Sequence, residues 1–193
     1  MDSYDAFNAF IETVAGSGCD TFIVHARKAW LKGLSPKENR EVPPLDYDLV
    51  VAMKARFPNL HISINGGAES IDKALEFLDI GLDGVMIGRA AYHSPWDILG
   101  DADRRVFGGE NPLSCPEEAV LGMIPYIEAH LAEGGRLHAV TRHMLGLYHG
   151  CHGGRHWRRM LSEDARKDGA NIELLREALQ LIEQAAATRA AAE

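Results

Sequence analysis

The sequence predicts an α/β protein in which a parallel sheet comes first and an all-helical region follows. Short apolar runs alternate with amphipathic segments in a β-α-β-α-β order. Past Pro112 the apolar runs stop, and SCPEEAV opens a stretch that has only helical periodicity. We therefore expect two domains, one over residues 1–111 and one over residues 112–193.

The first domain is expected to hold three strands and three helices. Its first helix should run from Ser3 to Val14, because apolar residues recur there every three or four positions after a capping serine. Strands are expected at TFIVH, LHISIN and GVMIG, with helices over 45–57 and 69–78 between them. Each strand is a continuous apolar run, which is typical of parallel strands covered on both faces.

Composition limits the classes of function. The chain has 193 residues, a formal charge of −8 and three cysteines in no paired motif. We find neither a signal peptide nor a long apolar run, so we expect a reduced, cytoplasmic setting with no membrane span, disulfide or metal site. The negative charge disfavours general attraction to polyanions.

Glycines follow two neighbouring strands where each strand ends. Asn65-Gly66-Gly67 follows the second strand, and Gly88-Arg89 follows the third. Parallel strands joined by one crossover end at the same edge, and glycine lets backbone N–H groups approach an anion. In (β/α)8 barrels the loops after the last two strands commonly hold a phosphate. We interpret the glycines as a phosphate site; the alternative is that they only make tight turns.

His25 ends the first strand and should reach the same edge, where an imidazole can donate to a phosphate or ring oxygen. A purely structural histidine is the alternative. The connection that follows is long for a compact domain, which is more often a functional feature. It carries five cations, namely Arg27, Lys28, Lys32, Lys37 and Arg40. One phosphate does not require five cations.

A basic island, residues 136–167, interrupts the acidic average of the chain. It contains seven Lys or Arg, two acidic residues and five of the nine histidines. Arg155 and Arg158 are three positions apart in a predicted helix, which places both on one helical face. With Trp157 interleaved, the pattern is typical of a surface that binds a phosphate backbone. An ordinary solvated helix face is the alternative.

Several segments together resemble the A-type tRNA-dihydrouridine synthases, namely FIVHARKAWLKGLSPKENREVPPLDY, INGG, DGVMIGRAAYHSPW and VTRHMLGLYHGCHGGRHWRRMLSE. The resemblance implies the C-terminal part of a TIM-type (β/α)8 barrel, followed by an all-α helical domain that binds tRNA. It also implies an enzyme that uses FMN and NADPH to reduce uridine to dihydrouridine in the tRNA D-loop, at position 20/20a.

The resemblance also implies two sets of contact residues. The FMN-contacting positions of the family fall on His25, Asn65, Gly66, Gly67, Gly88 and Arg89. Its tRNA contacts fall on Lys37, Arg40, Arg155 and Arg158. His152 stands where the family usually has a proline.

The chain begins at MDSYDAF, where the family has already completed its first several strands. The family's catalytic cysteine, which protonates the uracil, and a lysine that contacts the flavin belong to that earlier part. We therefore assign no catalytic residue here and do not expect Cys19, Cys115 or Cys151 to substitute. The expectation is a fragment that is inactive alone. The alternatives are a non-catalytic module that binds FMN and tRNA, and another FMN or sugar-phosphate barrel enzyme without an RNA substrate.

Overall fold

The computed structural model describes residues 4–28, 30 and 32–191. The strands are β1 (Thr21–His25), β2 (His61–Asn65) and β3 (Gly84–Met86). The longer helices are α1 (Tyr4–Gly16), α2 (Tyr47–Arg56), α3 (Ile71–Asp79), α7 (Pro116–Ala132), α9 (Gly154–Ser162) and α10 (Ile172–Ala190). The shorter ones are α4 (Arg89–His93), α5 (Pro95–Leu99), α6 (Ala102–Phe107) and α8 (Leu137–Thr141). Single 3₁₀ turns span Glu38–Arg40 and Asp164–Arg166.

The predicted α/β class is confirmed as a three-stranded parallel sheet with helices. The strand order is β1-β2-β3, and both pairs are parallel. In the register, His25 lies opposite Asn65, and Asn65 lies opposite Met86. The three strands therefore end level at one edge of the sheet. Ser3, the expected cap of the first helix, lies outside the described residues.

Helices cover one face of this sheet. The core on that face contains Ile11, Phe22, Val24, Val50, Met53, Ile62, Ile64 and Phe77. On the opposite face, Ile23 of β1 is 59% exposed and Met86 of β3 is 50% exposed. The expectation that both faces are covered is therefore wrong for the part of the chain that the structure describes. On that opposite face, Ile23 and Met86 lie among polar residues, namely His25, Ser63 and Asn65, so only one face of the sheet is uniformly apolar.

The chain divides into two compact units, Met1–Gly88 and Arg89–Glu193. The division falls earlier than residue 111, and α4, α5 and α6 belong to the second unit. The second unit also holds four further α-helices, α7 to α10. A domain boundary between residues 111 and 112 stays a prediction.

Trp157 of α9 lies at the centre of the second unit's core. It is fully buried, its indole N–H donates to the carbonyl of Met144 at 2.9 Å, and its ring meets Tyr148 edge-on at 4.8 Å. The prediction that Trp157 interleaves with the surface arginines is therefore wrong. Its spacing from Met160 and Leu161 turns all three toward the core side of an amphipathic helix.

Candidate functional site

His25 stands at the sheet edge where the three strands end. Its Nδ1 lies 3.2 Å from the carbonyl oxygen of Asn65. A carbonyl oxygen can only accept, so Nδ1 carries a proton in this hydrogen bond. In the neutral ring, Nε2 is then an acceptor, and it donates only in the imidazolium form. Donation from His25 to a phosphate therefore requires the charged ring.

Asn65 connects the ends of all three strands. Its side-chain amide donates to the carbonyl of Met86 at 2.8 Å, and its own carbonyl accepts from the N–H of Ala26 at 2.8 Å. These hydrogen bonds link the carboxyl ends of the three strands. Asn65 therefore has a structural role in addition to any contact with a ligand.

The Gly66–Gly67 turn is closely packed against its surroundings. The φ angles are +112° at Gly66 and +70° at Gly67, a region that favours glycine. A Cβ on Gly66 would lie 2.9 Å from His25 Nδ1, and a Cβ on Gly67 would overlap the hydroxyl of Tyr47. That hydroxyl donates to the carbonyl of Gly66 at 3.3 Å. Glycine is therefore required here by backbone angle and by packing.

The same edge of the sheet has backbone N–H groups that make no hydrogen bond within the described part of the protein. Among the described residues, the N–H groups of Gly66, Gly67 and Gly88 have no protein acceptor. Space is open beside Gly88, where an added Cβ would meet no atom within 4 Å. Unused N–H groups at the carboxyl edge of a parallel sheet are what a phosphate needs. The first unit thus presents a cradle of backbone donors that suits a phosphate group. Arg89, the last of the predicted FMN contacts, directly follows Gly88, begins α4 and is exposed.

The long connection after β1 is closed at its base. Arg27 and Leu45 form an antiparallel bridge, and the guanidinium of Arg27 donates to the carbonyls of Glu41, at 2.8 Å, and Pro43. Of the five cations of this connection, Arg27 is therefore engaged within the protein itself. Its charge serves to tie the two ends of the connection.

Inside this connection, Ser35 and Glu38 form a reciprocal cap. The Ser35 N–H donates to the Glu38 carboxylate at 2.8 Å, and the Glu38 N–H donates to the Ser35 hydroxyl at 3.3 Å. The hydrogen bonds from Ser35 lower the pKa of Glu38. Sequence analysis missed this cap, although the S-x-x-E pattern of SPKE signals it. The short turn that it starts presents Lys37 and Arg40, both exposed.

In the second unit, α9 presents Arg155 and Arg158 to solvent, and their spacing of three residues places both on one helical face. Both are exposed, while Trp157 and Met160 of the same helix are buried. Within the described part of the chain, neither arginine has an ion-pair partner. Their charges are therefore not neutralised by neighbouring carboxylates.

Two other arginines of the basic island are bound to histidines. Arg166 Nε lies 3.1 Å from His138 Nε2, and Arg142 Nε lies 3.0 Å from His143 Nε2. An arginine can only donate, so both imidazoles accept at Nε2. Burial lowers the pKa of His138, and the positive charges of Arg166 and Arg142 lower it further. The island therefore places histidine acceptors beside cations.

The cysteines and membrane-related features add no second site. Cys19, Cys115 and Cys151 are free, and Cys19 precedes β1, at the opposite edge from His25. Over the described ranges, no cluster of three His, Cys, Asp or Glu side chains is placed to hold a metal ion. No helix among those residues combines the length and apolarity that crossing a membrane requires.

Residues 1–185 match the protein family described as Dihydrouridine synthase (Dus). The chain belongs to the Dus family. A tRNA-dihydrouridine(20/20a) synthase of Shewanella oneidensis is 52% identical over 183 residues, covering 95% of this chain and 54% of that protein. A relative of the same name from Salmonella typhimurium is 53% identical over 183 residues, covering 94% and 54%. One from Pasteurella multocida is 49% identical over 182 residues, covering 94% and 55%.

The resemblance to this family is thereby confirmed, at high identity over nearly the whole chain. This Dus-family chain spans about half the length of the curated relatives that it matches.

Proposed function

We propose that this chain is the C-terminal part of a tRNA-dihydrouridine synthase that reduces uridine in the tRNA D-loop. The family match and the names of the relatives, which specify position 20/20a, support this proposal. In this proposal β1 to β3 are the last strands of a TIM-type barrel, and the helical domain over residues 112–193 binds tRNA. We also propose that the protein is located in the cytoplasm, where tRNA is modified.

The cradle at the sheet edge would hold the FMN phosphate. The main observation that supports this site is that the N–H groups of Gly66, Gly67 and Gly88 have no protein acceptor in the described structure. Arg89 would add a charge-assisted hydrogen bond, and His25 would contact the cofactor through Nε2. When bound, FMN would supply the redox chemistry, with NADPH as the source of electrons. The chain's own residues would bind and orient the cofactor.

The cations on two exposed segments would bind the tRNA backbone. Lys37 and Arg40 are exposed on the closed connection of the first unit, and Arg155 and Arg158 are exposed on α9. Phosphate contacts of this kind position an RNA without reading its sequence.

The proton donor for the uracil ring is not assigned to any residue of this chain. Cys19 lies at the edge of the sheet opposite the cradle, so it is not placed to serve. We therefore expect the chain alone, given FMN, NADPH and tRNA, to form no dihydrouridine, as judged by mass spectrometry of digested tRNA. Sustained formation by this chain alone would place the general acid among its own residues.

The cofactor site is tested by comparing FMN with riboflavin, which has the same ring but no phosphate. The chain or its full-length counterpart should bind FMN more tightly in isothermal titration. Arg89→Ala should weaken FMN binding by about 1.5–3 kcal/mol, the range for a charge-assisted hydrogen bond, and should leave riboflavin binding unchanged. Arg176→Ala, an exposed arginine of α10, is the matched control. Equal binding of FMN by Arg89→Ala and the parent would refute the phosphate assignment.

A further inference from the structure

An aromatic and cationic cluster lies on the second unit, and we call Tyr92, His93, Arg142 and His143 the Tyr92 cluster. The Tyr92 hydroxyl lies 3.0 Å from His143 Nδ1, and Arg142 Nε donates to His143 Nε2 at 3.0 Å. The Tyr92 ring meets His93 and His143 edge-on, at 5.8 Å and 6.0 Å between centroids. Tyr92 remains 54% exposed. An open aromatic ring thus stands beside a guanidinium group.

Gly146 is what allows α4 to approach the segment that carries His143. A Cβ on Gly146 would overlap the carbonyl oxygen of His93 and would lie 3.2 Å from that of Tyr92. The end of α4 therefore packs directly on the backbone of Gly146. This contact fixes Tyr92 beside His143, although the two residues are 51 positions apart.

The hydrogen bonds determine which groups remain available. His143 Nε2 accepts from Arg142, so in the neutral ring the proton is on Nδ1, which donates to the Tyr92 hydroxyl oxygen. The hydroxyl proton of Tyr92 is then free to donate elsewhere. The Arg142 guanidinium uses one N–H for His143 and, within the described residues, makes no other hydrogen bond or ion pair. Its remaining N–H groups can bind a phosphate oxygen.

We propose that the Tyr92 cluster binds one unpaired nucleotide of an RNA, with the base stacked on the Tyr92 ring and the phosphate held by Arg142. The inference rests on the proposed function, since it names a contact for the same tRNA substrate. Unpaired RNA bases stack on aromatic side chains, and duplex bases are not accessible in this way. The cluster shares residues 142 and 143 with the basic island, so the local charge suits RNA. Because Trp157 is buried, it cannot supply this aromatic surface.

Tyr126 provides a matched control on the same unit. It is 60% exposed and its ring stacks on His130 at 6.4 Å, as an aromatic pair on α7. No arginine within the described residues forms a hydrogen bond with His130 or a ring contact with Tyr126. Tyr126 therefore matches Tyr92 in ring type and exposure but lacks the cation.

The test measures binding of the chain to oligouridylate, to a duplex RNA and to tRNA by fluorescence anisotropy. Tyr92→Ala should weaken oligouridylate binding by about 5- to 150-fold, the range for loss of one stacked base, and should change duplex binding little. Tyr92→Phe should retain most of the affinity, because the ring remains. Arg142→Ala should lower the slope of log affinity against log salt by about 0.7, the value for one single-strand phosphate contact. Tyr126→Ala should bind like the parent.

Each alternative outcome overturns a stated part of the reasoning. If Tyr92→Ala bound oligouridylate like Tyr126→Ala while the parent bound tRNA, the inference would be wrong and the proposed function would stand. If Tyr92→Phe lost as much affinity as Tyr92→Ala, the stacking role would be wrong. A parent chain that bound neither tRNA nor oligouridylate would overturn both the inference and the RNA-binding part of the proposed function. Far-UV circular dichroism, together with tryptophan emission to which the buried Trp157 contributes beside Trp30 and Trp96, checks that each variant is folded.

Discussion

Replacing Arg155 and Arg158 of α9 together by alanine should weaken tRNA binding and reduce its dependence on salt. Both side chains are exposed, and neither is paired with a carboxylate in the described structure. Each guanidinium is therefore available to displace a counterion from the RNA backbone. Removing both should leave flavin binding unchanged, because the proposed cradle is built from other residues.

The magnitude follows from the number of contacts removed. Each phosphate contact contributes about 0.7 to 0.9 to the slope of log affinity against log salt, so losing two should lower the slope by about 1.4 to 1.8. The free energy of unfolding should change by less than about 0.5 kcal/mol, since exposed and unpaired side chains are replaced by a residue of higher helix propensity. A loss of binding without a loss of stability is therefore expected.

The assay is a salt titration of labelled tRNA binding, read by fluorescence anisotropy, with chemical denaturation in parallel. Arg176→Ala is the control, because Arg176 is also an exposed helical arginine but pairs with Glu173 at 3.5 Å. An unchanged slope in the double variant would refute the assignment of α9 to RNA binding. An equal fall in the control would show that only total charge matters.

Two further predictions concern titratable groups. His138 should titrate below its ordinary value in an NMR pH series, because burial and the neighbouring arginines lower its pKa; Arg166→Gln should raise the midpoint. Although burial raises the pKa of Asp83, hydrogen bonds from Lys54 (2.7 Å) and the Ile62 N–H (2.8 Å) lower it overall. Its stabilising contribution should be complete above the unfolded value of about 4 and be lost as pH falls through the lower folded pKa. Asp83→Asn should cost about 1–2 kcal/mol near neutral pH and flatten the acid limb of denaturation curves, and an unchanged acid limb would contradict this.

The order of strands and helices was sufficient to place the candidate cradle. Parallel strands joined by crossovers must end at one edge, so the sequence predicts His25, Asn65 and Gly88 at the same edge. The register confirms this for the ends of the strands, since His25 lies opposite Asn65 and Asn65 lies opposite Met86, two residues before Gly88. The requirement for glycine at positions 66 and 67 was less specific, since only the structure shows the packing of Tyr47 and His25 against them.

Charge and aromatic content were poor guides to individual side chains. Arg27 counted as a surface cation in the sequence, yet its hydrogen bonds to Glu41 and Pro43 make it a structural tie. Trp157 counted as a surface aromatic, yet it is buried. The spacing W-x-x-M-L was a usable signal, because positions three and four apart share a helical face.

The local sequence pattern therefore determined the α/β class, the level strand ends and the shared helical face of Arg155 and Arg158, because each depends on neighbours within a few turns or on strand order. Only the tertiary structure decided which face of the sheet is covered by helices, where the Arg27 guanidinium is directed and that Tyr92 meets His143. That last contact joins residues 51 positions apart. It depends on glycine at position 146, because the end of α4 packs against the backbone there and leaves no room for a Cβ. The hydrophobic periodicity of the sequence does not predict such a pairing, because contacts between distant segments are set by the packing of the whole unit.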